Sequence, residues 1–157
     1  MPHARSVSNP ILTVVVAVVA AAGCTATTAS VPADHLVPIG TWGGDSGGLI
    51  VGDTSAHLHI GCTFGDLSGR VVVSEDGRFD VEGSYMLRAY PILVGPTVPA
   101  RFVGRISGST LTIIATVDDT VEHRTVVRGP VSVTLGADPK LGPCPICRRP
   151  SSGMIKR

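Results

Sequence analysis

Val71-Val72-Val73-Ser74-Glu75-Asp76-Gly77-Arg78-Phe79-Asp80-Val81 sets two extended runs on either side of one Asp-Gly dipeptide. A two-residue type I′ hairpin turn demands positive φ at both central positions, and Asp-Gly tolerates it. Strands over 68 to 74 and 78 to 89 are therefore expected to pair antiparallel. Outward from this hairpin, short β-branched runs continue to alternate with Gly and Asp turns. Further strands are expected at 39 to 43, 48 to 52, 55 to 62, 100 to 107, 110 to 118 and 121 to 135, the last broken near Gly129-Pro130. The other turns fall at Asp45 to Gly47, Gly52-Asp53, Gly65-Asp66, Ser107 to Ser109 and Asp118-Asp119. Beyond residue 24 the chain shows no 3.6-residue apolar period and no internal repeat. The pattern is all-β: a single small antiparallel up-and-down barrel or flattened sandwich of about eight strands, whose closure would remove exposed edges.

Composition narrows the function classes. The 157 residues suit one domain, and thirteen bases against twelve acids create no field strong enough to recruit nucleic acid. Six aromatic residues are too few for a stacking platform, while 43% apolar content is too high for a disordered chain. No nucleic-acid partner and no cofactor is expected.

Near the N-terminus, Arg5 precedes an apolar run from Ile11 to Ala22 interrupted only by Thr13. Twelve helical residues span about 18 Å against a hydrocarbon core of roughly 30 Å, so the run suits a signal peptide over 1 to 23 better than a membrane span. It ends in Ala21-Ala22-Gly23-Cys24, which resembles the lipobox of bacterial lipoproteins. The resemblance implies that Cys24 carries a diacylglyceryl group, becomes the first mature residue and anchors the protein to a membrane of the cell envelope. Ordinary cleavage after Ala20-Ala21-Ala22, leaving Cys24 a thiol, is the alternative. Residues 24 to 37 are mostly Ala, Thr, Ser and Pro without periodicity, the composition of a flexible tether. A barrel domain is expected over 38 to 147, and Arg148, Arg149, Lys156 and Arg157 mark a disordered basic tail over 148 to 157.

Export would place the remaining cysteines where disulfides persist. Cys62 can pair with Cys144 or Cys147, closing a loop of about 80 residues, and one of the three thiols is left over. Cys144-Pro145-Ile146-Cys147 also has the spacing of a thioredoxin-like redox motif, but that chemistry needs the first Cys at a helix N-terminus after a strand. Gly40-Thr41-Trp42-Gly43-Gly44 looks like the start of lipocalin-type barrels, where the Trp closes the barrel floor. With Cys62, Asp76-Gly77-Arg78-Phe79-Asp80-Val81, Gly83-Ser84-Tyr85, Ala100-Arg101-Phe102 and Gly104, it resembles a group of small uncharacterised bacterial exported proteins. That resemblance implies the barrel and a Cys62 to Cys144 pairing. It supplies no catalytic residue.

Three features bear on activity. Gly44-Asp45-Ser46-Gly47-Gly48 reproduces the pentapeptide around the nucleophile of chymotrypsin-like serine proteases. Those enzymes need a two-barrel domain about twice this size, with His and Asp ahead of the Ser, so a Gly-rich hairpin turn is expected instead. His57 and His59 flank Leu58 on an expected strand, and period 2 sets both imidazoles on one face, roughly 7 Å apart. They are weak metal candidates with His123 as the possible third ligand; solvent-facing histidines are the commoner outcome and no metal is expected. Finally, Ile92, Leu93, Val94 and Val98 lie among three prolines in the longest expected connection, a candidate partner loop that would otherwise fold over one barrel end. The expectation is a lipid-anchored, non-catalytic cell-envelope module that binds a protein or a small apolar ligand or serves a structural role. The alternatives are an inhibitor-like protein that presents a rigid loop to a partner enzyme, and metal-binding or serine-hydrolase activity.

Overall fold

In the computed structural model, residues 30–89 and 95–144 are described. Eight strands are present: β1 Gly40–Gly44, β2 Gly47–Val51, β3 Ser55–Ile60, β4 Thr63–Ser68, β5 Arg78–Met86, β6 Val98–Ser107, β7 Thr110–Asp119 and β8 Arg124–Leu135. Each pairs antiparallel with its neighbour, and β8 returns to β1 through Trp42 opposite Leu135 and Gly43 opposite Thr134, so the sheet is a closed up-and-down barrel. Closure leaves no edge strand. Alternate residues point inward, and Trp42, Leu49, Leu58, Leu67, Phe102 and Leu111 are among the fully buried side chains that fill the interior. The β1–β2, β3–β4, β5–β6 and β7–β8 connections lie at one end, the β2–β3, β4–β5 and β6–β7 connections at the other.

Around the central hairpin the structure departs from the sequence expectation. The strand expected over 68 to 74 is instead β4, Thr63–Ser68, which runs straight through the expected Gly65-Asp66 turn. Gly65 lies inside the barrel because a Cβ there would stand 2.5 Å from the Tyr85 ring and 2.9 Å from that of Phe102. The reversal before β4 is made by Gly61 at φ 56°. Nor is the Asp76-Gly77 turn a two-residue type I′. Ser74 N–H donates to Arg78 C=O and Gly77 N–H to Ser74 C=O, leaving a three-residue loop in which only Gly77 takes positive φ. Ser74 Oγ donates to Asp76 Oδ1 at 2.6 Å, a local bond that favours this longer loop. β8 is not broken at Gly129-Pro130: its pairing with β7 steps from Ile113 opposite Val131 to Ala115 opposite Arg128, a bulge that absorbs the irregularity.

Two segments outside the strands lie against the barrel. The first belongs to the expected tether. Ser30 C=O accepts from Gly108 N–H, Val37 N–H donates to Val71 C=O, and Val73 N–H donates to His35 C=O. Val37, Val71 and Val73 are buried, and Val31 packs on the same core. Residues 30 to 37 thus pack on one barrel end through the buried Val37 and the half-buried Val31, whose spacing carries no helical or strand period. The second segment follows β8. Gly136 N–H donates to Thr41 C=O, Lys140 N–H to Gly44 C=O and Ser46 N–H to Lys140 C=O, so the chain doubles back along the outside of β1. A Cβ on Gly43 would stand 2.3 Å from the Asp138 carbonyl carbon, and one on Gly48 2.6 Å from Pro139 Cβ. Glycine is required at both positions for this strap to lie flat. The strap ends at Cys144, bonded to Cys62 in the β3–β4 turn, with Cα atoms 5.3 Å apart.

At the end bearing the β7–β8 turn, Asp119 is the one buried charged residue of the core among the described residues. Arg88 grips it with two bonds of 3.0 and 2.6 Å, and the Val121 and Glu122 amides donate to its Oδ1. The Arg88 guanidinium, aided by the Glu122 and Val121 amides, holds the Asp119 carboxyl below the usual carboxylate range in spite of its burial. A carboxylate depressed on folding contributes stability above its unfolded value, near 3.8, and loses it as pH falls through the folded value. Thermal unfolding followed by circular dichroism from neutral pH downward should therefore show the melting temperature dropping steeply below about pH 4, and Asp119→Asn should flatten that acid limb while lowering stability at neutral pH. Parallel acid limbs in the two proteins would count against the Arg88–Asp119 latch.

Candidate functional site

The outer face of the β3–β4 hairpin brings together His57, His59, Phe64 and Asp66. His57 and His59 alternate with Ala56 and Leu58, which are buried, so period 2 turns both imidazoles outward as the sequence implies. The register sets His57 directly opposite Asp66 and His59 directly opposite Phe64. His57 Nδ1 donates to Asp66 Oδ1 at 2.6 Å, which fixes its tautomer and turns Nε2 away from the carboxylate. That Nε2 lies 3.0 Å from Nε2 of His59, one donating to the other. The imidazoles meet edge to face, and Phe64 tilts against both at centroid distances of 5.4 and 5.5 Å. Burial, with the neighbouring His57 adding to it and Asp66 opposing, holds the His59 imidazole below the ordinary histidine range. His59 is thus a neutral imidazole near pH 7, with one nitrogen lone pair available.

His123, the candidate third ligand, stands elsewhere: it occupies the β7–β8 turn at φ 51°, exposed, with no bond to the pair. Position in that turn was set by the last hairpin and not by strand register. Among the described residues no group of three or more His, Cys, Asp or Glu converges on a metal position. Asp66 was missed by sequence reasoning because Gly65-Asp66 resembled a turn; once β4 passes through it, the side chain after an inward Gly65 must face out beside His57.

Ser46 lies in the β1–β2 turn at φ 66° and is exposed. Its backbone does the local work, accepting from Gly61 N–H as well as donating to Lys140, and no hydrogen bond joins its hydroxyl to a histidine among the described residues. The flanking glycines of the protease-like pentapeptide meet Ser132 and Val131 on the inner side and Pro139 on the outer, a steric reason for glycine that involves no chemistry. Val98, placed in the candidate partner loop, is instead 1% exposed at the start of β6, facing the core, so it offers no surface to a partner. Ile92, Leu93 and Val94 lie outside the described residues, as do Cys24 and Cys147. Of the cysteine alternatives, Cys62 with Cys144 is the pair formed. An open cleft of about 800 Å³ runs on the outer side of β5–β7, where Val72, Val103 and Ile114 are flanked by Arg78, Asp80 and Arg105.

No family model, curated protein or solved structure matches the chain.

Proposed function

We propose that this protein is a lipid-anchored module of the bacterial cell envelope that acts by binding and not by catalysis, in the manner of the small exported barrels its Gly40-Thr41-Trp42-Gly43-Gly44 start resembles. The observation that carries the reading is the apolar run Ile11 to Ala22 ending in Ala21-Ala22-Gly23-Cys24. The Cys62–Cys144 bridge supports it independently, because a disulfide that holds the last described segment to the barrel is durable only in an oxidising compartment.

On this reading the anchored molecule has a direction. Ser30 already bonds the barrel through Gly108, so only residues 24 to 29 separate the lipid from the domain. Six residues reach at most about 20 Å when fully extended, which keeps the barrel near the membrane surface with its β2–β3, β4–β5 and β6–β7 end toward the lipid. The opposite end, with the β1–β2, β3–β4 and β7–β8 turns, faces outward. Because the barrel interior is filled by its own side chains, a protein partner at that outward end suits the architecture better than a small apolar ligand within it.

Fractionation of cells that express the full chain tests the anchor. The wild type should sediment with membranes, and Cys24→Ser should either accumulate as uncleaved precursor or appear as soluble protein. An unmodified, soluble mature form that retains Cys24 in the wild type would contradict the reading.

A further inference from the structure

We propose that His57 and His59 chelate a divalent first-row transition ion through their Nε2 atoms, with Asp66 as the carboxylate that orients the first of them; the ion the geometry suits best is Cu(II). Two nitrogen ligands about 2.0 to 2.1 Å from one ion stand roughly 2.9 Å apart at a right angle and about 3.3 Å apart at the tetrahedral angle. The observed 3.0 Å between the two Nε2 atoms lies between these, nearer the right angle of a tetragonal site. The ion would take the place of the proton between the two nitrogens and sit about 1.4 Å to one side of the line that joins them. Its entry needs only that His59 move its proton to Nδ1, since Asp66 already keeps the His57 proton on Nδ1 and leaves Nε2 to ligate.

The surroundings favour a pre-formed chelate. Hydrogen bonding of a ligating histidine's other nitrogen to a carboxylate is the usual device that holds the ring and raises its basicity. Both histidines stand on one rigid strand in the middle of a closed sheet, flanked by Phe64 on β4 and, across β2, by Ile50 and by Gly48 with Pro139 over it. These apolar neighbours restrict ring rotation. The His57 side chain retains 38% exposure, so an ion can reach it from solvent. With two protein nitrogens, the ion keeps its remaining positions for water. The donor set orders the ions by the Irving–Williams series, Cu(II) above Ni(II) and Zn(II), and excludes Mg(II) and Ca(II), which require oxygen ligands.

The test is titration of the full chain in detergent with Cu(II), read by electron paramagnetic resonance and by competition with a weak chelator such as glycine. The wild type should take up one equivalent with a tetragonal spectrum bearing nitrogen hyperfine structure. H57A and H59A should each abolish that signal. The H3A/H35A/H123A variant, which removes every other histidine, should keep it. D66N should preserve the nitrogen signature while weakening affinity about 10- to 100-fold, the usual effect of losing such an orienting partner. Unchanged uptake in H57A and H59A, or loss of the signal in H3A/H35A/H123A, would overturn the proposal. Should an alanine variant fold poorly, the melting temperature decides: one equivalent of Cu(II) should raise it in the wild type and in H3A/H35A/H123A but not in H59N. An equal rise in H59N would overturn the site.

Discussion

Trp42→Ala should destabilise the barrel by about 3 to 5 kcal/mol, the range for truncating a large buried aromatic side chain. The indole is wholly buried, and its Nε1–H donates to Pro38 C=O at 3.1 Å. Its place in the sheet amplifies the effect. Trp42 and Gly43 are the β1 residues registered against β8, so the seam that closes the barrel rests on two residue pairs and on the packing of this side chain beneath them. Removing it leaves a cavity that a closed sheet can fill only in part. Because the chain's single tryptophan is lost, unfolding should be followed in denaturant by circular dichroism. Ser46→Ala serves as the comparison: an exposed hydroxyl in a Gly-rich turn should change stability by less than about 0.5 kcal/mol. A neutral Trp42→Ala would mean that the seam is held by other contacts, and covalent labelling of Ser46 by a fluorophosphonate would contradict the non-catalytic reading.

Cys62→Ala should lower stability by about 4 to 5 kcal/mol, since the bridge to Cys144 closes a loop with a sequence separation of 82 residues and constrains the unfolded chain accordingly. The same loss should follow reduction of the wild type, and reduction should add nothing to the variant. The bridge also fastens the strap over β1, so residues 136 to 144 should gain faster amide exchange in the variant while the β5–β7 ladder stays protected. Peptide mapping that finds Cys62 as a free thiol, with Cys144 joined to Cys147, would refute this account of the strap. Against a typical total stability of 5 to 15 kcal/mol, either substitution alone leaves the fold marginal.

Much of the barrel was legible because its information is local. β-Branched runs between Gly and Asp turns specified seven of the eight strands to within a few residues, and the outward pair His57 and His59 followed from period 2 alone. What escaped was set by contacts between distant parts of the chain. Gly65 resembles a turn residue until Tyr85 and Phe102 occupy the space beside it. The run Val71-Val72-Val73 has strand composition, yet it pairs with residues 35 to 37 across the barrel end and not with the adjacent strands. That partner segment has the composition of a tether, because its backbone bonds, the buried Val37 and the half-buried Val31 leave no periodic trace. The glycines at 44, 47 and 48 invited a catalytic comparison, whereas Gly44 and Gly47 are crowded by Ser132 and Val131 of β8 and Gly48 by Pro139 of the strap that doubles back from it. In the candidate site, the histidines could be placed on a face, but the 3.0 Å approach of their Nε2 atoms and the role of Asp66 depend on the β3–β4 register, which the mistaken turn concealed.

The proposal of an anchored, stapled barrel is tested most directly by the intact mass of the protein extracted from membranes under non-reducing conditions. The account predicts a chain that begins at Cys24, carries a diacylglyceryl group and lacks two hydrogens for one disulfide, with Cys62 and Cys144 joined in the peptide map. A mass equal to an unmodified chain, with Cys24 recovered as a free thiol or cleaved away with the leader, would contradict it.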